Sequence, residues 1–141
     1  MSVARRWSLP LLLLLVAAAC KKEEAQPVAA SPAGGGAVIG AALSLTGPAA
    51  VYGAQQRAGI QAAVEEVNAR GGAKLSVIVE DDASTKEQGI TVFQKFINRD
   101  KVSAIIGPTL SNTATAADPL AQGAGVPVVA VSNTAPKGIT D

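Results

Sequence analysis

The chain has 141 residues, of which 48% are hydrophobic, 16% charged and 3% aromatic, and its formal net charge is +1. This near-neutral charge lacks the excess of basic residues that is typical of proteins that bind nucleic acid. With no histidine and a single cysteine, the chain alone cannot form a Ser-His-Asp or Cys-His catalytic site, an internal disulfide or a thiolate metal cluster. About one domain of sequence remains once the ends are discounted. We therefore expect no enzyme, no metal site and no cofactor.

Residues 1–20 have the features of an export signal. Arg5 and Arg6 form a positively charged start, an apolar run follows at 9–16, and small residues lead to Cys20. The apolar run is too short to span a bilayer stably. A lone cysteine directly after small residues resembles a bacterial lipoprotein lipobox, which implies an exported protein with a lipid anchor at Cys20. An ordinary signal peptide with an incidental cysteine is the alternative.

A tether is expected between this signal and the folded part. Residues 21–36, KKEEAQPVAASPAGGG, are charged at first and then rich in Ala, Pro, Ser and Gly. Their apolar residues do not recur at the spacing of a helix or a strand, so they form no face that could be buried, which is typical of a flexible linker. Such a tether would hold a folded domain away from a membrane.

The folded part is expected to start at 37–45, AVIGAALSL, a near-continuous apolar run that predicts a parallel strand covered on both faces. A loop is expected at 47–53, and a helix from about 54 to 70, where apolar residues recur at i, i+4 and i+7 before two glycines. The second strand, at 74–82, ends in EDD (80–82). These acids could coordinate a cation, but a solvated strand end is the preferred interpretation.

Ser84 with Glu87 fits a capping box at the start of a second helix. The apolar residues of that helix fall on one face; they are Ile90, Phe93 and Ile97. The third strand is predicted at 102–107, VSAIIG. It ends at a Gly-Pro pair, after which the chain becomes rich in small polar side chains.

The third helix is expected from about Ser111, and Pro119 should break or kink it. Asp118 would then cap a second short piece that runs to about Gln122. The fourth strand is predicted at 126–131, VPVVAV. The order βαβαβαβ predicts an α/β fold with three layers, in which helices cover both faces of a doubly wound parallel sheet.

Polar clusters follow three of the predicted strands, at 44–52, 109–113 and 132–134. Open parallel sheets bind ligands beyond the carboxyl ends of their strands, where the strand order reverses. The second cluster also opens a helix, whose first N–H groups and positive dipole end favour an anion such as a carboxylate. Ser111 is therefore a candidate anion contact, although serine is also an ordinary N-cap, worth about 1 kcal/mol. Tyr52, the only tyrosine, either faces this site or lies on the helix that it precedes.

Several longer stretches carry a family resemblance: SLTGPAAVYGAQQRAGIQAAVEEVNARGG, VEDDAST and AIIGPTLSNTATAADPLAQGAGVPVVAVSNTAP. In combination, the motifs TGP-x₃-YG, N-x-x-GG, D-x-x and IGP…S with a later P-x-x-x-x-S resemble the leucine/isoleucine/valine-binding proteins. These are substrate-binding proteins of branched-chain amino acid ABC transporters and have the type I periplasmic binding fold. The resemblance covers about residues 38–138 and corresponds to the N-terminal part of the first lobe.

The resemblance implies an exported, non-enzymatic solute-binding component of an ABC importer, at the periplasm or cell surface. It implies a small amino acid of branched-chain type, or a related amide or carboxylate, and ABC permease subunits as partners. Ser111 would bind the α-carboxylate with help from Thr134. The Ser132 carbonyl and the Thr134 hydroxyl would accept from the α-ammonium. The wall around the ligand side chain would be shaped by Tyr52, Thr109 and Leu110.

The resemblance also implies a second lobe, because these receptors close two lobes over their ligand. Residues 37–141 correspond to part of the first lobe only, so we expect a fragment or a truncated product, with weak binding or none by itself. The main alternative is a ligand-sensing receptor ectodomain with the same fold. A dinucleotide-binding enzyme is disfavoured because no G-x-G-x-x-G lies between a strand and a helix.

Overall fold

The computed structural model describes residues 36–72 and 74–131. The described elements follow the predicted order and are β1 (Ala37–Leu43), α1 (Ala50–Ala69), β2 (Leu75–Asp81), α2 (Lys86–Lys95) with a π-helical turn (Phe96–Asp100), β3 (Ala104–Ile106), α3 (Ser111–Ala124) and β4 (Val128–Val129). The predicted export signal, Cys20 and most of the tether lie outside the described residues. Within the described ranges, no helix combines the length and apolar character needed to cross a membrane.

The four strands form one parallel sheet in the order β2-β1-β3-β4. Alternate side chains of each strand point to opposite faces, as the pleat requires. Ile39 and Ile106 face α1, whereas Ala42 and Ile105 join the core under α2 and α3. Helices therefore cover both faces, and the predicted three-layer, doubly wound α/β fold is confirmed.

The main core lies between the sheet and the α2/α3 layer. α2 and α3 pack directly against each other. Phe93 and Phe96 are fully buried in this core, and burying each ring contributes roughly 1.5–3 kcal/mol. The other buried members of the cluster are aliphatic: Ala42, Val92, Val102, Ile105, Ala117 and Ala121. Of the apolar face predicted for the second helix, Phe93 lies in the core and Ile97 packs against it, whereas Ile90 does not join this cluster.

Two element boundaries differ most from the predictions. α1 begins at Ala50, four residues before the predicted start at 54, so Tyr52 lies in the first helical turn and not in a loop. The helix can start there because Gly53 packs directly on the Ser44 backbone. β4 has only two residues because only these pair with β3, whereas the apolar run predicted six.

The N-cap of α2 is Thr85 and not Ser84, so the predicted capping box is wrong by one residue. Thr85 Oγ1 accepts a hydrogen bond from the Gln88 backbone N–H at 3.2 Å. Ser84 instead has a positive φ of 58°, and its hydroxyl donates to the Thr46 carbonyl at 2.8 Å. Ser84 therefore lies in the loop after β2 and connects it to the loop after β1.

α3 runs without a break from Ser111 to Ala124 and includes Pro119. The predicted break is therefore wrong, and the alternative of a kink at Pro119 stays a prediction. A proline removes one intrahelical hydrogen bond, here the one to the Thr115 carbonyl. Both Pro119 and Thr115 are exposed, so water can replace that bond while the opposite side of α3 stays packed. Asp118 is not a cap; it is a buried residue inside the helix.

Candidate functional site

The centre of the carboxyl edge of the sheet is the point where the strand order reverses. From β1 the chain first adds β2 on one side of the sheet, and it then crosses back over β1 to add β3 on the other side. β1 and β3 are therefore neighbours in the sheet. The loops that follow these two strands meet there, because the Ser44 backbone N–H donates to Thr109 Oγ1 at 2.9 Å. The polar clusters after the first and third strands are thus brought together at the position where such sheets bind ligands.

Asp81, the last residue of β2, holds the loop after β1. Its carboxylate accepts hydrogen bonds from the backbone N–H of Leu45 at 2.9 Å, from the Thr46 hydroxyl at 2.6 Å and from the backbone N–H of Ala83 at 2.8 Å. Burial raises the pKa of Asp81, but these hydrogen bonds, with that of Thr46 foremost, outweigh it and keep the pKa below its ordinary value. Asp81 therefore stays ionised and structural.

Asp82 is fully buried beneath the same loop. Its Oδ1 accepts from the Ser44 hydroxyl at 2.6 Å and from the Ser84 backbone N–H at 2.9 Å. The expectation of a solvated acidic strand end is therefore wrong for Asp82, whereas Asp81 stays partly exposed. In the part of the chain that the structure describes, no group of three or more metal-ligating side chains comes together. The sequence did contain a signal for this burial. Two adjacent aspartates at the end of one strand can accept hydrogen bonds from hydroxyl groups that follow a neighbouring strand, here those of Ser44 and Thr46.

The loop after β3 passes very close to β1. Gly107 has a φ of 111°, a conformation that favours glycine, and a Cβ there would overlap the Ala42 carbonyl oxygen. Thr109 is only 1% exposed, and its hydroxyl donates to Gln56 Oε1 on α1 at 2.7 Å. Gln56 was missed by the sequence analysis, because its partner lies 53 positions away in the chain.

The N-terminus of α3 lies directly after this loop. Leu110 is the N-cap residue, and its carbonyl accepts from the backbone N–H of Thr113 at 3.1 Å and of Ala114 at 3.0 Å. Asn112 Oδ1 also accepts from Thr113 at 2.9 Å. Ser111 is the first helical residue and not the N-cap. The helix therefore presents its positive dipole end at the switch point, with Ser111 in its first turn.

The structure brings four of the six predicted ligand contacts to one edge. Tyr52, in the first turn of α1, is 60% exposed. Leu110 and Ser111 are partly buried, whereas the Thr109 side chain is buried and bonded within the chain. Ser132 and Thr134 lie outside the described residues. Their roles as ligand contacts remain predictions.

Residues 37–141 match the family described as periplasmic binding protein. Over 96 residues, or 66% of this chain, the sequence is 36% identical to the leucine-, isoleucine-, valine-, threonine-, and alanine-binding protein of Pseudomonas aeruginosa, of which it covers 26%. A solved relative is the branched-chain amino acid transporter substrate-binding protein LivJ of Streptococcus pneumoniae, in complex with isoleucine. The TM-score with LivJ is 0.68 at 34% identity, over 70% of this chain and 29% of that one.

A second solved structure shows a different ligand. The solute-binding protein of an ABC transporter from Rhodopseudomonas palustris, in complex with 3,4-dihydroxybenzoic acid, matches with a TM-score of 0.64 at 30% identity, over 69% of this chain and 27% of that one. Across several curated relatives, the matched region spans 19% to 30% of the relative's length. The match over 37–141, together with the parallel sheet, shows that the chain belongs to the periplasmic binding protein family.

Proposed function

We propose that this chain forms the N-terminal part of the first lobe of an extracytoplasmic solute-binding protein that serves an ABC importer. The proposed ligand is an amino acid of branched-chain type or a related small carboxylate or amide. The protein would deliver it to ABC permease subunits and would carry out no catalysis. The observation that supports this most is the placement of Ser111 in the first turn of α3, at the switch point between β1 and β3.

The chemistry of that position suits a carboxylate. The positive end of a helix dipole, its first N–H groups and a serine hydroxyl together favour an anion without a lysine or arginine. Isoleucine and 3,4-dihydroxybenzoic acid are the ligands named for two relatives. The carboxylate is the charged group that the two compounds have in common. We therefore propose Ser111 as the carboxylate contact, and the Ser132 carbonyl and Thr134 hydroxyl as acceptors for an α-ammonium.

We expect Ser111→Ala to weaken binding by roughly 1–3 kcal/mol, because it removes a hydrogen bond to a charged group. Calorimetric titration of the full-length protein with L-leucine, and separately with 3,4-dihydroxybenzoic acid, measures the change. Both affinities should fall if the carboxylate is the group that Ser111 contacts.

The matched control for this experiment is Ser103→Ala. Ser103 is exposed and directly precedes β3, at the opposite edge of the sheet, so its replacement should leave both affinities unchanged. Equal binding by Ser111→Ala and the unmodified protein would remove Ser111 from the site. Failure of the unmodified protein to bind either compound would refute the proposed function.

The proposed anchor is a lipid on Cys20, which follows the apolar run and small residues of an export signal. Because one acyl chain binds a membrane only marginally, two or three chains on this residue would be needed for stable anchoring. We expect Cys20→Ser to move the protein from the membrane fraction to the soluble fraction after cell fractionation. Serine substitution at the exposed Ala62 of α1 is the control. Unchanged membrane partitioning of Cys20→Ser would show that acylation is wrong.

A further inference from the structure

A buried series of hydrogen bonds joins α1 to the loops after the first three strands. Thr109 Oγ1 donates to Gln56 Oε1 at 2.7 Å and accepts from the Ser44 backbone N–H at 2.9 Å. The Ser44 hydroxyl continues the series by donating to Asp82 at 2.6 Å. Ser44, Thr109 and Asp82 are each at most 1% exposed, so water does not compete for the bonds among these three residues. Gln56 is partly buried, and its bond closes the series at the α1 end.

The two ends of the Gln56–Thr109 bond lie next to proposed ligand contacts. Gln56 is four residues after Tyr52, which places it one helical turn further along the same side of α1. Thr109 precedes Ser111 by two residues at the start of α3. The bond therefore connects the segment that carries Tyr52 with the segment that carries Ser111.

These two segments belong to helices on opposite faces of the sheet. α1 packs on β1 and β2, whereas α3 packs on α2. The distance between the starts of α1 and α3 therefore depends on links that cross the carboxyl edge of the sheet. A hydrogen bond of 2.7 Å tolerates a displacement of only a few tenths of an ångström before it weakens.

We propose that Gln56 and Thr109 are positioning residues: their hydrogen bond sets the placement of Tyr52 relative to Ser111 and thereby the ligand affinity. This inference rests on the proposed function of the site. It assigns to the Thr109 side chain a role inside the protein, in place of direct contact with the ligand. Residues that contact a ligand bind it well only when neighbouring residues hold them within about 0.5 Å of the positions that the bound ligand requires.

The first test needs no ligand and uses NMR of the isotopically labelled full-length protein. Gln56→Met should move the backbone amide resonance of Ser111, and Thr109→Val should move that of Tyr52. Each readout is distant in sequence from its substitution, so effects passed along the chain from an adjacent residue do not explain a shift. Gln61→Met, exposed on α1, and Thr91→Val, exposed on α2, are the controls and should leave both resonances in place.

The second test measures affinity for L-leucine by calorimetry. Thr109→Val and Gln56→Met should each weaken binding about tenfold. Thr109→Ser keeps the hydroxyl, so it should retain most of the affinity even if loss of the methyl group lowers stability. A purely structural role would make Thr109→Ser and Thr109→Val differ in stability but not in affinity.

The outcomes separate the two proposals. If the unmodified protein binds neither L-leucine nor 3,4-dihydroxybenzoic acid, the proposed function fails, and the NMR shifts still decide whether Gln56 and Thr109 position the two segments. If the unmodified protein binds and Thr109→Val binds equally well, the positioning inference is wrong while the function stands. Unmoved Tyr52 and Ser111 resonances in the two variants would overturn the inference on their own.

Discussion

We expect Gly53→Ala to lower the free energy of unfolding by about 3 kcal/mol. Gly53 is buried in the first turn of α1, and a Cβ there would overlap the carbonyl group of Ser44. The obstacle is backbone directly after β1, so no side-chain rotation can relieve it. The substitution should therefore push the start of α1 away from the carboxyl edge of the sheet.

Gly59→Ala is a matched control, because it makes the same change in the same helix. A Cβ at Gly59 would have no atom within 4 Å in the described part of the chain, apart from the adjoining residues and backbone of its own helix. Alanine restricts the unfolded chain and favours helix, so this variant should gain about 0.5–1 kcal/mol. Urea titration monitored by circular dichroism measures both changes. Equal effects of the two substitutions would contradict the proposed close packing of α1 on Ser44.

We expect Asp118→Asn to raise the free energy of unfolding at pH 7 by about 2–3 kcal/mol. Asp118 is buried in α3, and its Oδ1 has no hydrogen-bond partner among the described residues, 36–72 and 74–131. Burial raises the pKa of Asp118 from 3.8 to about 6, because the charged form is poorly solvated. This difference in pKa corresponds to about 3 kcal/mol, and partial solvation lowers the expected gain slightly.

The pH dependence follows from the same carboxyl group. Between pH 3.8 and about 6, the folded protein holds a proton on Asp118 that the unfolded chain has already released. Stability should therefore fall as the pH rises through this range, and the loss should be complete above it. The pKa values of Asp81 and Asp100 are lowered instead, so their contributions are lost only as the pH falls below 3.8.

Chemical denaturation at several pH values between 4 and 7 tests this prediction. In Asp118→Asn the decline in stability across that range should disappear. Glu65→Gln, which neutralises an exposed carboxylate on α1, should leave the decline intact. A decline of the same size in Asp118→Asn would mean that this carboxyl group is not the source.

Local patterns were sufficient to predict the order of elements and the start of the third helix. Apolar runs separated by helical periods predicted four strands and three helices, and the observed order agrees. Ser111 was expected at the start of a helix and is its first residue. These features depend on nearest neighbours in the chain, where alternation, helical spacing and capping residues act directly.

Local patterns failed where distant segments decide the environment of a residue. The EDD segment was expected to be solvated, but Asp82 is buried because Ser44 approaches it from the neighbouring strand. Pro119 was expected to break or kink α3, but the helix continues through it because its other side is packed. In both cases tertiary contacts outweighed a local preference that is worth only a few kcal/mol.

By itself, the sequence determined that this protein would form a wound parallel sheet with small polar groups beyond its strand ends. Only the tertiary structure decided which of those groups remain accessible, because that depends on which loops the strand order brings side by side. β1 and β3 become neighbours although 60 residues separate the end of one from the start of the other. Their pairing buries Thr109 against Ser44 and Gln56, and leaves the first turns of α1 and α3 at the edge.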